Sequence, residues 1–438
     1  MRTLPGTVRI RAGKASGHYH EAVIQITDQI FSSKGQLTSI QDMNILFYTD
    51  ISPLPANGGE KIRSYYLIKA LANLGHQVIA LVQNEEQTDL ESYNLRNVVF
   101  YTHPKKRLDI VDRLAGKHYF QQSAHVLQLF DEVCRKYTID AAVLDYGYIG
   151  HYINYFNKRR IPVILGTHNA QAMITQQLPA KNIIEKIRRF QLVSLEKLHE
   201  RMYFKKAAAV LVVSEDDRHY HAKFIPKEKI FFVPNFLDEK EYALSTGQKQ
   251  SKVLVMTANF GQYMNFHGLK WFVEKVWDSE LADRYDIWLV GRRSKEALTQ
   301  LTGADKWNNI VALGKVDDVK WYISVANGVI IPLLHGSGTR LKCLEAMALS
   351  TPIIATSKGV EGVASKHFII ADDPADFKKV ILDFNGDTKI GEALREDFMK
   401  EYSAEVNTQR LHDVLHYTVK DKPARVQQPA LTEKQAHV

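Results

Sequence analysis

Glycines, cations and a carboxylate stand close together in the stretch that ends at Glu345. Gly336 and Gly338 allow the backbone to approach a ligand closely. Arg340 and Lys342 follow where a helical pattern begins, and cations are unfavourable at a helix N-terminus unless an anion lies nearby. Free N–H groups at the same helix end attract phosphate, and Glu345 can accept hydrogen bonds from vicinal hydroxyls. The stretch therefore predicts an anion site, with a solvated helix face behind a glycine turn as the open alternative.

A strand, loop, helix and second strand must position these residues. The apolar run 329–334 predicts a buried strand, and residues 341–349 have apolar side chains at three- and four-residue spacings that are typical of a helix. Pro352 ends that helix, because proline disfavours a helical residue before it. Residues 353–355 then predict a second buried strand. The unit is one βαβ crossover of a parallel sheet, so the fold class is α/β.

At these residues the chain resembles the donor-site motif of retaining glycosyltransferases of family 4, which have the GT-B fold. Glu345 begins the Glu-Ala-Met-Ala sequence that carries the second glutamate of the family's paired motif, and Ser337 stands where the first glutamate would be. The chain is similar to the subgroup with Gly-Ser-Gly-Thr-Arg-Leu-Lys at residues 336–342. The resemblance extends from Met43 to about Tyr417.

The resemblance implies a role for each residue of the motif. It implies that Glu345 contacts the ribose of a nucleotide and that Arg340 and Lys342 act in catalysis by stabilising the leaving phosphate. The loop residues expected to bind the donor are Gly336, Ser337, Gly338 and Thr339.

A second glycine turn, Gly58-Gly59, follows the predicted strand 44–49. It resembles the family's first loop, in which backbone near the second glycine approaches the donor diphosphate and the acceptor. Arg63 lies one turn further on and is expected on the acceptor side. A plain tight turn is the alternative for the two glycines.

His168 follows the predicted strand 161–165. Ligands of open α/β sheets bind at the carboxyl ends of strands, so the topology alone places this residue well. The resemblance implies a catalytic histidine beside the donor sugar, although a lone histidine is more often structural.

Two further strand ends are expected at the donor. Arg292 follows the predicted strand 287–290 and is expected to reach a phosphate. Val316 lies in segment 314–318, which resembles the part of the family whose backbone meets the nucleobase.

Composition limits the class of protein. The 438 residues are 45% hydrophobic, which supports full-sized cores, and the net charge of +8 favours nucleotides, anionic lipid surfaces or nucleic acid as partners. Two cysteines indicate no disulfide framework and a reducing compartment. No apolar run approaches the length of a membrane span, and no nucleic-acid-binding module is recognisable.

The predicted domains are an extension at 1–42 that is expected to be mobile, a Rossmann-like acceptor-side domain at 43–235, a Rossmann-like nucleotide-sugar domain at 236–418, and a disordered tail at 419–438. A polar linker is expected at 239–252, and the last helix is expected to cross back to the first domain.

Segment 181–206 predicts one or two basic helices. Six apolar residues share one face: Ile183, Ile184, Ile187, Phe190, Leu198 and Met202. A basic amphipathic helix can lie in an anionic membrane interface. The alternative is a solvated helix that packs on its own domain.

The expected activity is transfer of a sugar from a nucleotide diphosphate sugar to a glycan or lipid-linked acceptor hydroxyl in surface glycan or glycolipid synthesis. No Asp-x-Asp pair occurs, so no metal is expected, and the nucleotide sugar is a substrate rather than a cofactor. The expected location is cytoplasmic, peripheral on the inner face of the membrane, with no nucleic-acid partner. A nucleotide-sugar epimerase and a non-catalytic GT-B partner of a glycan-assembly complex stay open as alternatives.

Overall fold

The computed structural model of this chain describes residues 42–56, 59–84, 89–103, 116, 119–177, 180, 182–243, 249–336 and 339–420. These residues belong to one compact unit that begins at Asp42. The expected extension lies outside the described residues except for Asp42, and so does the expected tail beyond residue 420.

The first sheet contains, within the described residues, seven strands that pair in parallel throughout. They are β1 Asn44–Tyr48, β2 Gln77–Gln83, β3 Val98–His103, β4 Ala141–Asp145, β5 Val163–Gly166, β6 Ala209–Val212 and β7 Ile230–Phe232. Their order is β3-β2-β1-β4-β5-β6-β7. Strands β1, β2, β4, β5 and β6 are almost entirely buried, which explains why their sequences are continuous apolar runs rather than alternating ones.

Helices cover this sheet: α1 Gly59–Asn73, α2 Ala124–Lys136, α3 Ile153–Lys158, α4 Gln171–Gln177, α5 Ile183–Tyr203 and α6 Glu215–His221. Gly75 follows α1 with a φ of 94°, as expected for the glycine that caps a helix C-terminus. The side chain of Ser214 accepts a hydrogen bond from the Asp217 N–H and caps α6.

The second sheet repeats the arrangement with the strands β8 Gln250–Thr257, β9 Asp286–Val290, β10 Lys306–Trp307, β11 Ile310–Gly314, β12 Ala326–Ile331, β13 Ile353–Ala355 and β14 Ile369–Ile370. Their order is β10-β11-β9-β8-β12-β13-β14, and only the β10–β11 pair of these described strands is antiparallel. The predicted α/β class with two Rossmann-like sheets is confirmed.

The helices of this half are α7 Tyr263–Trp271, which continues as a π-helical turn over Phe272–Val276, then α8 Ser279–Ala282, α9 Ser294–Thr302, α10 Val319–Val325, α11 Leu341–Ala348, α12 Pro374–Asp383, α13 Thr388–Glu401 and α14 Ala404–Val419. Among the described helices of the chain, none has the length and hydrophobicity of a bilayer-spanning segment.

Two predicted boundaries were wrong. The strand expected at 329–334 runs from Ala326 to Ile331, because Pro332 lacks the N–H that would continue the ladder. The linker expected at 239–252 ends earlier, since β8 already begins at Gln250 and pairs there with Ala326.

The last helix, α14, lies against the first sheet. The rings of Tyr417 and Phe231 are 5.0 Å apart, and the Arg410 guanidinium lies 5.4 Å from the ring of Phe232. Leu237 also donates its N–H to the Tyr402 carbonyl just before α14 begins. Helix α14 is therefore joined to the half of the molecule that contains the first sheet.

Candidate active site

The loop between β12 and α11 requires glycine at residue 336. Its φ is 112°, a conformation that side chains rarely adopt. A Cβ there would also lie 2.9 Å from Met264 Sδ and 3.1 Å from the Arg340 guanidinium. Glycine therefore fits this turn, and the close approach to a ligand predicted for Gly336 stays a prediction. The predicted donor-binding residues Ser337, Gly338 and Gly58 lie outside the described residues.

Arg340 immediately precedes α11 and is buried. Its Nε donates to the Lys358 carbonyl at 3.2 Å, and its Nη2 lies 3.3 Å from Glu361 Oε2. Burial lowers the pKa of Arg340, and the charge of Glu361 opposes that shift. Arg340 therefore already has a protein carboxylate as a partner, which the sequence argument for a bound anion did not foresee.

Lys342 lies in the first turn of α11. Its Nζ donates to Asn265 Oδ1 at 3.1 Å, and no described carboxylate lies within ion-pair distance of it. Burial lowers the pKa of Lys342 to about 8, and repulsion from Arg340 adds to the shift. An ammonium with a depressed pKa and only a neutral partner is a strong candidate for binding an anion.

Glu345 lies one turn into α11. The hydroxyl of Tyr242, from the stretch between the two sheets, donates to its Oε1 at 3.3 Å. Burial raises the pKa of Glu345 to about 7, which the Tyr242 hydrogen bond and the charge of Lys342 partly oppose. A ligand hydroxyl that donated to this carboxylate would favour its ionised form.

A cavity of about 500 Å³ opens in front of α11. Gly59, at the start of α1, lines the cavity on the side of the first sheet. A Cβ on Gly59 would lie 3.6 Å from Leu341 Cδ1. The structure thus brings four predicted residues to one cavity: Gly59, Thr339, Arg340 and Lys342.

His168 lies beyond this cavity lining and belongs to a buried network centred on Asp145. His168 Nε2 is 3.2 Å from Asp145 Oδ2, and Ser64 Oγ donates to the same oxygen at 2.5 Å. Burial alone would raise the pKa of Asp145, but the nearby charges of His168 and Arg63 and the hydrogen bonds from His168 and Ser64 hold it below its usual range. An ionised carboxylate can only accept, so Nε2 of the histidine carries the proton.

Arg63 is buried as well. Its Nη1 donates to the Val233 carbonyl and to Asn235 Oδ1, both at 3.1 Å, and its Nε lies 3.8 Å from Asp145 Oδ1. These contacts join α1 to the loop after β7. The acceptor contact predicted for Arg63 from sequence stays a prediction.

A second cavity, of about 680 Å³, lies at the ends of β9 and β11 and is lined by Arg292, Arg293 and Gly314 among others. Gly291 has a φ of 132°, and a Cβ there would lie 2.0 Å from the Ala258 carbonyl oxygen. Arg292 therefore follows a turn that only glycine can make. Val316 is half-buried and lies two residues beyond the part of β11 that lines the cavity.

The described residues contain no group of three or more His, Cys, Asp or Glu side chains that could hold a metal ion.

Solved structures share the fold of this chain. HepE from Anabaena, solved with UDP and glucose, aligns with a TM-score of 0.60 over 85% of this chain and 99% of its own at 16% identity. A glycosyltransferase from Rickettsia africae aligns with a TM-score of 0.60 over 87% of this chain and 100% of its own at 14% identity. At these identities the likeness shows the fold.

Family models match both halves of the chain. One described as Glycosyltransferase Family 4 matches residues 57–241, and one described as Glycosyl transferases group 1 matches residues 251–387. The chain is a glycosyltransferase of the GT-B fold. An uncharacterised 44.6 kDa protein in the cps region of Klebsiella pneumoniae is 22% identical to it over 360 residues, which cover 76% of this chain and 88% of that protein.

Sequence reasoning missed three site residues of this glycosyltransferase. Asp145 ends β4, and the rule that ligands bind at strand carboxyl ends could have selected it. Tyr242 and Glu361 come from stretches without a motif. Only the folded chain brings them to α11.

Proposed function

We propose that this glycosyltransferase moves a sugar from a nucleoside diphosphate donor to an acceptor hydroxyl, with retention of configuration and without a bound metal. The observation that carries the proposal is the Lys342 ammonium, which lines the cavity between Gly59 and α11 and has no described carboxylate partner. Cleavage of the anomeric bond places negative charge on the β-phosphate. A fixed cation beside the phosphate stabilises that charge.

Arg340 would act beside Lys342. Its contacts with Lys358 and Glu361 fix the guanidinium before a ligand arrives, so little reorganisation is needed when charge develops. The carboxylate of Glu361 partly neutralises the Arg340 guanidinium. For this reason Lys342 should contribute more than Arg340 to stabilising the negative charge of the leaving group.

The nucleoside would lie against α11 and the second cavity. Glu345 would accept hydrogen bonds from the ribose hydroxyls. Arg292 and the backbone near Val316, at the ends of β9 and β11, would contact the phosphate and the base. Structures of HepE hold UDP and UDP-glucose, which supports a nucleotide sugar as the donor here.

His168 would contact the donor sugar. Asp145 engages its Nε2, which leaves Nδ1 as the nitrogen that can meet a substrate. We propose front-face attack in which the leaving phosphate accepts the acceptor proton, so that no protein base is required. The acceptor would be a glycan or lipid-linked glycan of surface glycan synthesis, reached in the cytoplasm at the inner membrane face.

Incubation with labelled UDP-sugars tests the proposal, each with and without EDTA. We expect transfer, or slow hydrolysis when no acceptor is present, at equal rates in both conditions, with a product of unchanged anomeric configuration by NMR. Loss of activity in EDTA that Mg²⁺ or Mn²⁺ restores would contradict metal independence. Inversion at C2 would indicate an epimerase, and binding without turnover a non-catalytic partner.

Replacing Lys342 by methionine keeps the volume and removes the charge. We expect turnover to fall by about 10²–10³-fold, as for loss of one charge-stabilising donor. The matched control is Lys306→Met, an exposed lysine on β10 of the same half. Equal activity of the two variants would remove Lys342 from the mechanism.

A further inference from the structure

Helix α5 packs through one face only, on helix α4 and on the turn at residues 147–152. The buried residues of the helix are Val193, Glu196, His199, Glu200 and Tyr203. They recur at spacings of three and four residues, which define one side of a helix. Tyr119 and Thr175 donate hydrogen bonds to Glu196 from that side, so the helix is fixed by its C-terminal half.

The apolar face predicted from sequence is a different face, and it is exposed. The exposed fractions are 68% for Ile183, 74% for Ile184, 62% for Ile187 and 75% for Phe190. Leu198 and Met202 continue the row at 50% and 40%. At 3.6 residues per turn this apolar stripe, Ile183 to Met202, lies on about the opposite side of α5 from the buried residues.

The N-terminal half of α5 begins with a capped turn. The side chain of Asn182 accepts a hydrogen bond from the Glu185 N–H at 2.9 Å and caps the helix. The first turns are therefore held as helix while their apolar side chains point away from the protein. Exposed large apolar residues that adjoin one another mark an interaction surface.

Cations border the apolar stripe. At 3.6 residues per turn, Lys186 and Lys197 lie along one edge and Arg188 lies along the other, while Arg201 lies in line with Ile183 at the C-terminal end of the stripe. The turn that follows adds the exposed Lys205 and Lys206. Of the acidic residues in α5, Glu196 and Glu200 are buried, so Glu185 alone is exposed. A partner of this surface must be apolar at its centre and anionic around it.

We propose that the apolar stripe of α5 docks the protein on an anionic lipid bilayer, with Ile183, Ile184, Ile187 and Phe190 inserted among the acyl chains and the bordering cations on the headgroups. A helix with one apolar face and cationic edges lies in the plane of such an interface. The inference goes beyond the transfer reaction, because it assigns the surface that would bring this protein to a membrane.

A second copy of the chain fits the surface less well. A two-fold contact places the same patch of both copies face to face. Both edges of the apolar stripe carry cations, so in either helix orientation cations would meet cations. A bilayer that contains acidic lipids supplies the opposite charge instead.

Sedimentation of the full chain with vesicles tests this proposal. We expect binding to vesicles of phosphatidylcholine with phosphatidylglycerol, weaker binding to phosphatidylcholine alone, and a decrease as salt rises. The double variant Ile187→Glu/Phe190→Glu should bind at least about tenfold more weakly. Lys186→Glu and Arg188→Glu should each weaken binding by about fivefold or more.

Matched controls lie on the second half of the molecule. Ile370→Glu changes an exposed isoleucine on β14, and Lys306→Glu an exposed lysine on β10. Both should bind vesicles like the unchanged protein. Absence of binding to anionic vesicles, or equal binding by the α5 variants and the controls, would overturn the proposal.

Sedimentation equilibrium tests whether a second copy of the chain, rather than a bilayer, covers the apolar stripe. A dimer that Ile187→Glu/Phe190→Glu abolishes, in a protein that does not bind vesicles, would assign the surface to a second copy and contradict the proposal. Calorimetry with UDP on the same samples reports the donor site independently. Vesicle binding without UDP binding would therefore count against the proposed transfer reaction and leave the docking surface standing.

Discussion

Lys342 and Glu345 lie three residues apart on the same face of α11. Their ionisation should determine how the affinity for a nucleotide depends on pH. Burial raises the pKa of Glu345 to about 7 and lowers that of Lys342 to about 8. Ribose hydroxyls favour the ionised carboxylate, so affinity should rise with pH through about 7. Phosphate favours the protonated amine, so affinity should fall again above about 8.

Calorimetry with UDP across this range measures the profile. Glu345→Gln should lose the dependence on the acid side, and Lys342→Met the dependence on the alkaline side. Glu345→Gln should also cost on the order of 1.5–3 kcal/mol of binding at neutral pH, as for hydrogen bonds to a charged group. A profile that neither variant changes would place the nucleotide elsewhere.

Asp145 should act as a positioning residue for His168. The Asp145 carboxylate fixes the Nε2–H form of the His168 ring and also faces the buried Arg63. Asp145→Asn removes its charge. We expect turnover to fall while UDP affinity is unchanged, because the histidine is assigned to the sugar rather than to the nucleotide. The free energy of unfolding should decrease by on the order of 3 kcal/mol, since a buried charge loses its partner.

The control for Asp145 is Glu196→Gln, another buried carboxylate of the first half, which accepts hydrogen bonds from Tyr119 and Thr175. It should lower stability without changing turnover per folded molecule. Should both variants affect turnover in proportion to stability alone, Asp145 is only a structural residue.

At the scale of elements, the glycine before α11 and the glycine that begins α1 should respond differently to alanine. Gly336 has a φ of 112°, which side chains rarely adopt, and a Cβ there would press on the Arg340 guanidinium, whereas a Cβ on Gly59 at the start of α1 would have its nearest neighbour at 3.6 Å. Gly336→Ala should displace Arg340 and weaken UDP-sugar binding markedly, with a strain on the order of 1–3 kcal/mol. Gly59→Ala should bind almost normally. Equal effects in thermal-shift titrations with UDP-glucose would contradict the geometry.

The elements that could be predicted from sequence were those with a strong period or an apolar run. Strands β1, β5 and β13 and the helix α11 were found because they are buried on both faces or flanked by glycine and proline. Strand β3 was missed, since its residues are mostly half-buried and its sequence mixes aromatic and polar types.

The apolar face of α5 shows a further limit of periodicity. The pattern identified a continuous apolar row correctly, but it could not say whether protein, lipid or water covers that row. The neighbouring helices and turns instead cover the other face, where Glu196, His199 and Glu200 are buried through specific hydrogen bonds and ring contacts. Polar residues at buried positions have no periodic signal, so only the tertiary structure reveals them.

At the scale of the whole molecule, polar contacts join the two halves near the sequence that links them. Lys69 of α1 forms ion pairs with Asp238 at 2.8 Å and Glu241 at 2.5 Å, and Tyr66 donates to Glu241 at 2.8 Å. Hydrogen bonds to both carboxylates raise the pKa of Lys69 against the opposing effect of burial. These contacts place the start of α1, and hence Gly59, in a fixed relation to the linker from which Tyr242 reaches Glu345.

The contact between α14 and the first sheet should contribute to stability as a tertiary interaction across the whole chain. Tyr417 and Phe231 have ring centroids 5.0 Å apart, a tilted aromatic pair. A double-mutant cycle with Tyr417→Ala and Phe231→Ala, measured by urea unfolding, should give a coupling of about 0.5–1.5 kcal/mol. The same cycle with Tyr417→Ala and Phe377→Ala, whose ring packs on Trp271 and Phe272 of the second half, should give no coupling. A coupling near zero for the first pair would mean that α14 is not held against the first sheet in solution, and that the chain's last helix belongs energetically to the second half alone.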